Sequence, residues 1–93
     1  MVVGLLTLDI FFPDVHSLKG KRSLLRPLLE RLRRDWNVSA TEIDHLSVWQ
    51  RTTVAVASVN TEAGAARNSL DSILRHVEQQ HSFNLIDHSI QLL

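Results

Sequence analysis

Residues 2–36 read VVGLLTLDIFFPDVHSLKGKRSLLRPLLERLRRDW, and this stretch decides the fold because its hydrophobic period changes partway along. In 2–12 the even-numbered positions contain no polar residue, which predicts a β-strand with that side toward a core. Pro13 then breaks the strand. From 17 to 36 apolar residues recur at helical spacing instead, so the stretch predicts a strand followed by a helix.

The predicted first helix has one apolar side and contains a proline. Ser17 is a suitable N-cap for it. Pro27 deletes the backbone hydrogen bond to the carbonyl of Ser23 and crowds that turn. The helix therefore either kinks there or begins near Ser23, and we favour a single helix with a distorted first half. The apolar side is formed by Leu18, Leu25, Leu28, Leu29, Leu32 and Trp36.

The remaining chain predicts three more strands and one more helix. Branched and small residues favour strands at 38–44 and 51–60, joined as a hairpin. Thr61 is a suitable cap for a second amphipathic helix that ends near Gln80 or His81. Alternation returns over 84–93 and predicts a fourth strand.

This β-α-β-β-α-β order, with short connections, predicts one ferredoxin-like α+β domain over 1–93. Its four-stranded antiparallel sheet would carry both helices on one face. The opposite face would expose Leu5 and Phe11, which are too apolar for an open surface in water. We therefore take Leu5 and Phe11 as candidates for an interface with a partner or a second copy of the chain.

Composition excludes several classes of function. The chain has no cysteine, so it has no disulfides, thiolate metal sites or thiol nucleophiles. It also lacks an apolar run long enough to span a bilayer, and its apolar start lacks the features of a signal peptide, so we expect a cytoplasmic protein. None of the five histidines has a partner at the spacing that places two metal ligands on one helix face. We predict no metal, no cofactor and no enzymatic activity, since Asp9 alone defines no reaction.

Positive charge is concentrated in the first helix. The chain has ten basic and ten acidic residues, yet 17–36 contains seven of the former and two of the latter. A local positive potential can therefore form on a neutral protein, and guanidinium groups suit phosphate oxygens. The alternative is a solvated amphipathic helix without a partner. The candidate residues for binding nucleic acid or another anion are Lys19, Lys21, Arg22, Arg26, Arg33 and Arg34.

Three separated segments resemble those of the YlxP-like bacterial family of unknown function. They are SLKGKR at 17–22, NVSATEID at 37–44 and WQR at 49–51. The resemblance covers essentially the entire chain and implies a ferredoxin-like fold. The family's usual gene neighbours, translation initiation factor two and ribosome-binding factor A, imply a place in translation or ribosome maturation. The resemblance carries no catalytic residue.

Two interpretations of the segments that carry the resemblance stay open. In one, Glu42 pairs with a basic residue of the first helix and Trp49 packs over the end of the hairpin. In the other, the loop 45–51 forms a contact surface continuous with the basic helix, and Trp49 is its candidate interface residue.

The sequence also leaves three functions to compare. The first hypothesis is an RNA- or ribosome-associated binding domain, which would use the basic helix. The second is a self-associating scaffold or a small-ligand regulatory domain that uses the open sheet face. The third is an acylphosphatase-like enzyme, and we disfavour it because 13–16 lacks the glycine- and arginine-bearing phosphate loop of such enzymes.

Overall fold

The computed structural model describes residues 1–93 and has the predicted order of elements. Four antiparallel strands form one sheet in the order β2-β3-β1-β4, with β1 and β3 at its centre. This is the ferredoxin-like α+β fold, so the predicted class is confirmed. The elements are β1 (Val2–Phe11), α1 (Leu18–Asp35), β2 (Ser39–Asp44), β3 (Arg51–Asn60), α2 (Ala63–Glu78) and β4 (Asn84–Leu92).

One apolar core lies between the sheet and the two helices. The even-numbered positions of β1 face this core, as the alternation predicts, and Leu6, Leu8 and Ile10 are fully buried there. Gly4 lies directly beneath α2, since an added Cβ would come within 2.9 Å of the Leu70 side chain. Neither helix is both long and apolar enough to span a bilayer. The helices contribute Leu25, Leu28, Leu29 and Leu32 from α1 and Leu70, Ile73 and Val77 from α2.

Helix α1 is continuous through Pro27, which settles the alternative that the sequence left open. The helix begins at Leu18, and its N-cap is the predicted Ser17, whose hydroxyl accepts a hydrogen bond from the Gly20 amide at 2.9 Å. The later start near Ser23 is wrong. Pro27 and Ser23 are both on the exposed side of the helix. Water can therefore bind the Ser23 carbonyl in place of the N–H that Pro27 lacks.

The cap of helix α2 differs from the prediction. Glu62 occupies the N-cap position, and no side chain caps the first turn. Thr61 lies one residue too early for its hydroxyl to take the N-cap role, which requires an acceptor next to the first free amides. The helix ends at Glu78, slightly before the predicted end.

Replacing Pro27 by alanine should stabilise the protein. Pro27→Ala restores a donor for the Ser23 carbonyl and removes the ring from the turn, so we expect the free energy of unfolding to rise by about 1–3 kcal/mol. Urea denaturation of the wild type and the variant measures this change. Glu30→Ala, on the same exposed side of α1, is the control and should change stability by only about 0.5 kcal/mol. A Pro27→Ala variant that is no more stable than the wild type would contradict this account of α1.

Candidate nucleic-acid interface

The side chain of Lys21 is buried at the start of α1, with only 2% of its surface exposed. Its ammonium group forms an ion pair with the Glu42 carboxylate at 2.8 Å. An isolated buried ammonium is very costly, and it is tolerated only when charge and hydrogen bonds compensate for lost water. The backbone supplies the rest of the shell, through carbonyls of His45 at 2.7 Å, Val48 at 2.8 Å, Arg51 at 3.1 Å and Leu46 at 3.4 Å.

The hairpin positions these acceptors around the ammonium. Glu42 projects from β2 toward the core side of the sheet and also accepts a hydrogen bond from the Thr52 hydroxyl at 2.7 Å. His45 has a φ of 61°, a left-handed conformation that non-glycine residues adopt infrequently. The Asp44 side chain supports this turn by accepting from the His45 amide at 2.7 Å. The β2–β3 loop therefore has a defined shape, and Lys21 is at its centre.

These contacts and the exposure of Trp49 test the two interpretations of the segments that carry the resemblance. Glu42 does pair with a basic residue of the first helix, as one of the two interpretations states. Trp49 does not close the end of the hairpin by packing, because 52% of its surface is exposed. Lys21 must be removed from the predicted anion-binding residues, since its charge is enclosed and fully used inside the protein.

Three of the remaining predicted cations form an exposed group on α1. Lys19, Arg22 and Arg26 lie on one side of the helix and line a shallow surface depression together with Pro27 and Glu30. None of the ion pairs in the protein includes any of the three cations. We call Lys19, Arg22 and Arg26 the basic row.

The last two predicted cations are engaged elsewhere. The guanidinium of Arg33 donates two hydrogen bonds to the Ala40 carbonyl, which lies on the outer edge of β2. An occupied edge carbonyl makes it harder for another strand to pair there. Arg34 and Arg31 both bind the carboxylate of Asp35, each at 3.1 Å. The hydrogen bond from Arg34 is the main cause that holds the pKa of Asp35 below its usual value.

The open face of the sheet is acidic at one end. The strand register aligns Asp44, Thr53, Asp9 and Asp87 across all four strands. The Thr53 hydroxyl donates to the Asp9 carboxylate at 2.6 Å, and this contact accounts for the polar residue in the apolar first strand. Three carboxylates in one row repel phosphate, so this face is unsuited to nucleic acid. We call these three residues the acidic row.

The other end of the open face is apolar. Val3 on β1 is paired with Val59 on β3 and, through two backbone hydrogen bonds, with Leu93. Val59 is 62% exposed. Leu5 and Phe11, the predicted interface residues of β1, are both half-buried on this face.

A groove separates the two helices and adjoins the depression that the basic row lines. It is lined by Arg31 and His76 among other residues. Partial burial lowers the pKa of His76, and the positive charge of Arg31 adds to this effect. The His76 ring packs against Trp36 at a centroid distance of 5.5 Å. The indole nitrogen of Trp36 donates to the Ser72 hydroxyl at 3.3 Å, so Trp36 is a structural residue. No group of three or more residues in the protein is arranged to hold a metal ion.

The role of Lys21 is the main feature that sequence reasoning missed, although the sequence contains a signal for it. Lys21 precedes Leu25, Leu28 and Leu32 by four, seven and eleven residues, so it occupies the apolar side of α1. A lysine at such a position must find an anion or several carbonyls. The sequence alone could not show that the loop 45–51 supplies them.

These features define a small ferredoxin-like domain with an ordered loop beside a basic helix. The chain belongs to the family described as "Protein of unknown function (DUF503)", whose sequence profile matches residues 3–90. It is similar to the uncharacterized protein YlxP of Bacillus subtilis (strain 168), with 30% identity over 89 residues. That alignment covers 96% of this chain and 94% of the relative. The predicted family is therefore confirmed.

Removing the Lys21 ammonium should strongly destabilise the fold. Lys21→Met leaves the Glu42 carboxylate without its counter-ion and removes the donor from several carbonyls, and we expect a loss of about 3–5 kcal/mol in the free energy of unfolding. Chemical denaturation measures the loss. The neighbouring exposed Arg22 gives a matched control, since Arg22→Met removes the same charge and should cost about 0.5 kcal/mol or less. Equal stability of the two variants would show that the buried contacts do not support the fold.

Proposed function

We propose that this protein is a non-enzymatic RNA-binding or ribosome-associated domain of the cytoplasm, which contacts phosphates through the basic row. The observation that carries the proposal is that three exposed cations share one side of α1 without an internal partner. Lys19 and Arg26 are seven residues apart, which is about 10 Å along a helix. This span matches a short stretch of a phosphodiester backbone better than a single small anion.

The distribution of charge over the whole molecule supports this orientation. The basic row lies on the helical layer, whereas the acidic row lies on the opposite face of the sheet. A polyanion approaching at physiological ionic strength is attracted within about 8–10 Å of the basic row and repelled from the sheet. The zero net charge of the chain therefore does not argue against a polyanionic partner.

Guanidinium and ammonium groups on a helix can contact phosphates whatever the base sequence of the RNA. Phosphate contacts provide most of the affinity in non-specific binding and make it dependent on salt. We therefore expect binding to RNA in general, with specificity contributed by other contacts or by the partner's shape.

Charge reversal in the basic row should strongly weaken RNA binding. Arg22→Glu together with Arg26→Glu should weaken the affinity for a fluorescent RNA by about tenfold or more, because two phosphate contacts become repulsive. Arg67→Glu together with Arg75→Glu on α2 is the control, since it changes the net charge equally and should bind nearly as the wild type does. Fluorescence anisotropy measures all three affinities.

The salt dependence gives a second readout of the same proposal. For the wild type, the logarithm of affinity should fall with the logarithm of salt concentration at a slope of about −0.7 to −0.9 per phosphate contact. Equal affinity of the two charge-reversed proteins would contradict the proposal.

A specific observation also favours self-association as a second candidate function. Val3, Val59 and Leu93 form an exposed apolar end on the open sheet face. A second copy of the chain could cover this end, and the same face could then serve as a scaffold or regulatory surface.

A charge placed in this apolar end should prevent self-association. Sedimentation velocity of the wild type should show a mass that rises with concentration, and Val59→Lys should remain monomeric. Leu46→Lys is a matched control, because Leu46 is equally exposed at 62% but lies in the β2–β3 loop. A wild type that stays monomeric at every concentration would rule this candidate out.

A further inference from the structure

The β2–β3 loop exposes apolar side chains next to the basic helix. Trp49 is 52% exposed, and Leu46 and Val48 beside it are also open to water. Trp49 belongs neither to the hydrophobic core nor to the partly buried residues packed against it. Tryptophan combines a large flat surface with low conformational entropy, which makes it effective in contacts with a partner.

The backbone on both sides of Trp49 is held in place. The Val48 carbonyl accepts from the Lys21 ammonium at 2.8 Å. On the other side, the Gln50 side chain donates to the Val15 carbonyl at 3.1 Å, and the Gln50 carbonyl accepts from the Phe12 amide at 2.9 Å. The indole therefore extends from a fixed segment, so a partner would not have to order the loop when it binds.

Trp49 also lies close to the basic row. It lines a shallow depression together with Val15 and His16, which directly precede α1. Lys19 is only three residues beyond His16, so their Cα atoms are at most about 11 Å apart. The loop thus places one exposed aromatic ring within a few nucleotides' reach of Lys19, the first cation of the basic row.

We propose that Trp49 is a stacking site for an unpaired base, and that the RNA bound by the basic row is single-stranded at this point. This inference rests on the proposed function, which it extends by naming the class of RNA. Bases in single strands can leave the strand and stack on aromatic side chains, whereas those of a duplex are enclosed in the helix. A cationic surface next to an aromatic ring is the usual combination in proteins that bind single strands.

The other surfaces of the protein do not offer this combination. Phe11, the aromatic residue of the open sheet face, is paired with Arg51 on β3, but it is half-buried, and Asp9 of the acidic row lies next to it on the same face and would repel phosphate. Trp36 is packed against α2 and bonded to Ser72. Trp49 is therefore the indole that can meet a base while phosphates contact cations.

Fluorescence of a protein with one tryptophan tests the proposal. In Trp36→Phe, the remaining indole is Trp49, and stacking with a base should quench its emission. The probe is a polyuridine of about twelve nucleotides, compared with a blunt-ended duplex of two RNA strands at equal phosphate concentration. We expect quenching by the single strand and little quenching by the duplex. In Trp49→Phe the remaining indole is Trp36, and its emission should not change.

Affinity measured for the full set of variants separates stacking from charge. Trp49→Leu keeps an apolar side chain but removes the aromatic face, and it should bind polyuridine about tenfold more weakly. Trp49→Phe should retain most of the affinity. Leu46→Ala, in the same loop, should bind as the wild type does.

The possible failures are distinguishable. Polyuridine binding that depends on salt, but leaves the Trp49 emission unchanged and is equally tight in the wild type and in Trp49→Leu, would show that the stacking inference is wrong. The proposed function would then stand. If the wild type binds neither RNA, both are wrong. A Trp49 emission that shifts with protein concentration in the absence of RNA would indicate that a second copy of the chain covers the ring, and it would also overturn the inference.

Discussion

The buried ammonium of Lys21 determines how the helical layer and the hairpin fit together. Lys21 reaches from the first turns of α1 to the Glu42 carboxylate and to the carbonyls of the β2–β3 loop. Because the ammonium is buried away from water, it depends on this carboxylate and these carbonyls for its partners. The shape of the loop, the position of Trp49 and the placement of the basic row beside it all depend on this contact.

The basic residues of α1 have different roles, and only some of them are exposed and unpaired. Lys21 contributes to the core, Arg33 occupies a carbonyl on the edge of the sheet, and only the basic row remains free for a partner. Because the acidic row lies on the opposite face, the molecule has one positive side and one negative side. A neutral chain can therefore present one surface to a polyanion and another to water or to a second copy.

The spacing of hydrophobic residues along the chain predicted nearly all of the fold. Apolar residues on one face recur at a different interval in a strand than in a helix. The Ser17 cap and the bounds of β3 were also correct. The Thr61 cap was wrong because several polar residues near a helix start can take that role, and the choice depends on how the chain leaves β3. Counting charges placed Lys21 on the surface, whereas the contacts that bury it come from a loop more than twenty residues later. Such long-range pairing is set by tertiary structure and is not encoded in local spacing.

The central claim is that the exposed face of α1 binds RNA, and co-sedimentation with ribosomal subunits at low and high salt tests it most directly. The account predicts that the wild-type protein sediments with a subunit at low salt and is released at high salt, since phosphate contacts weaken as salt increases. The protein with Arg22→Glu and Arg26→Glu should stay in the supernatant at both concentrations. Sedimentation of that variant to the same extent as the wild type, or no sedimentation of the wild type at low salt, would contradict the account.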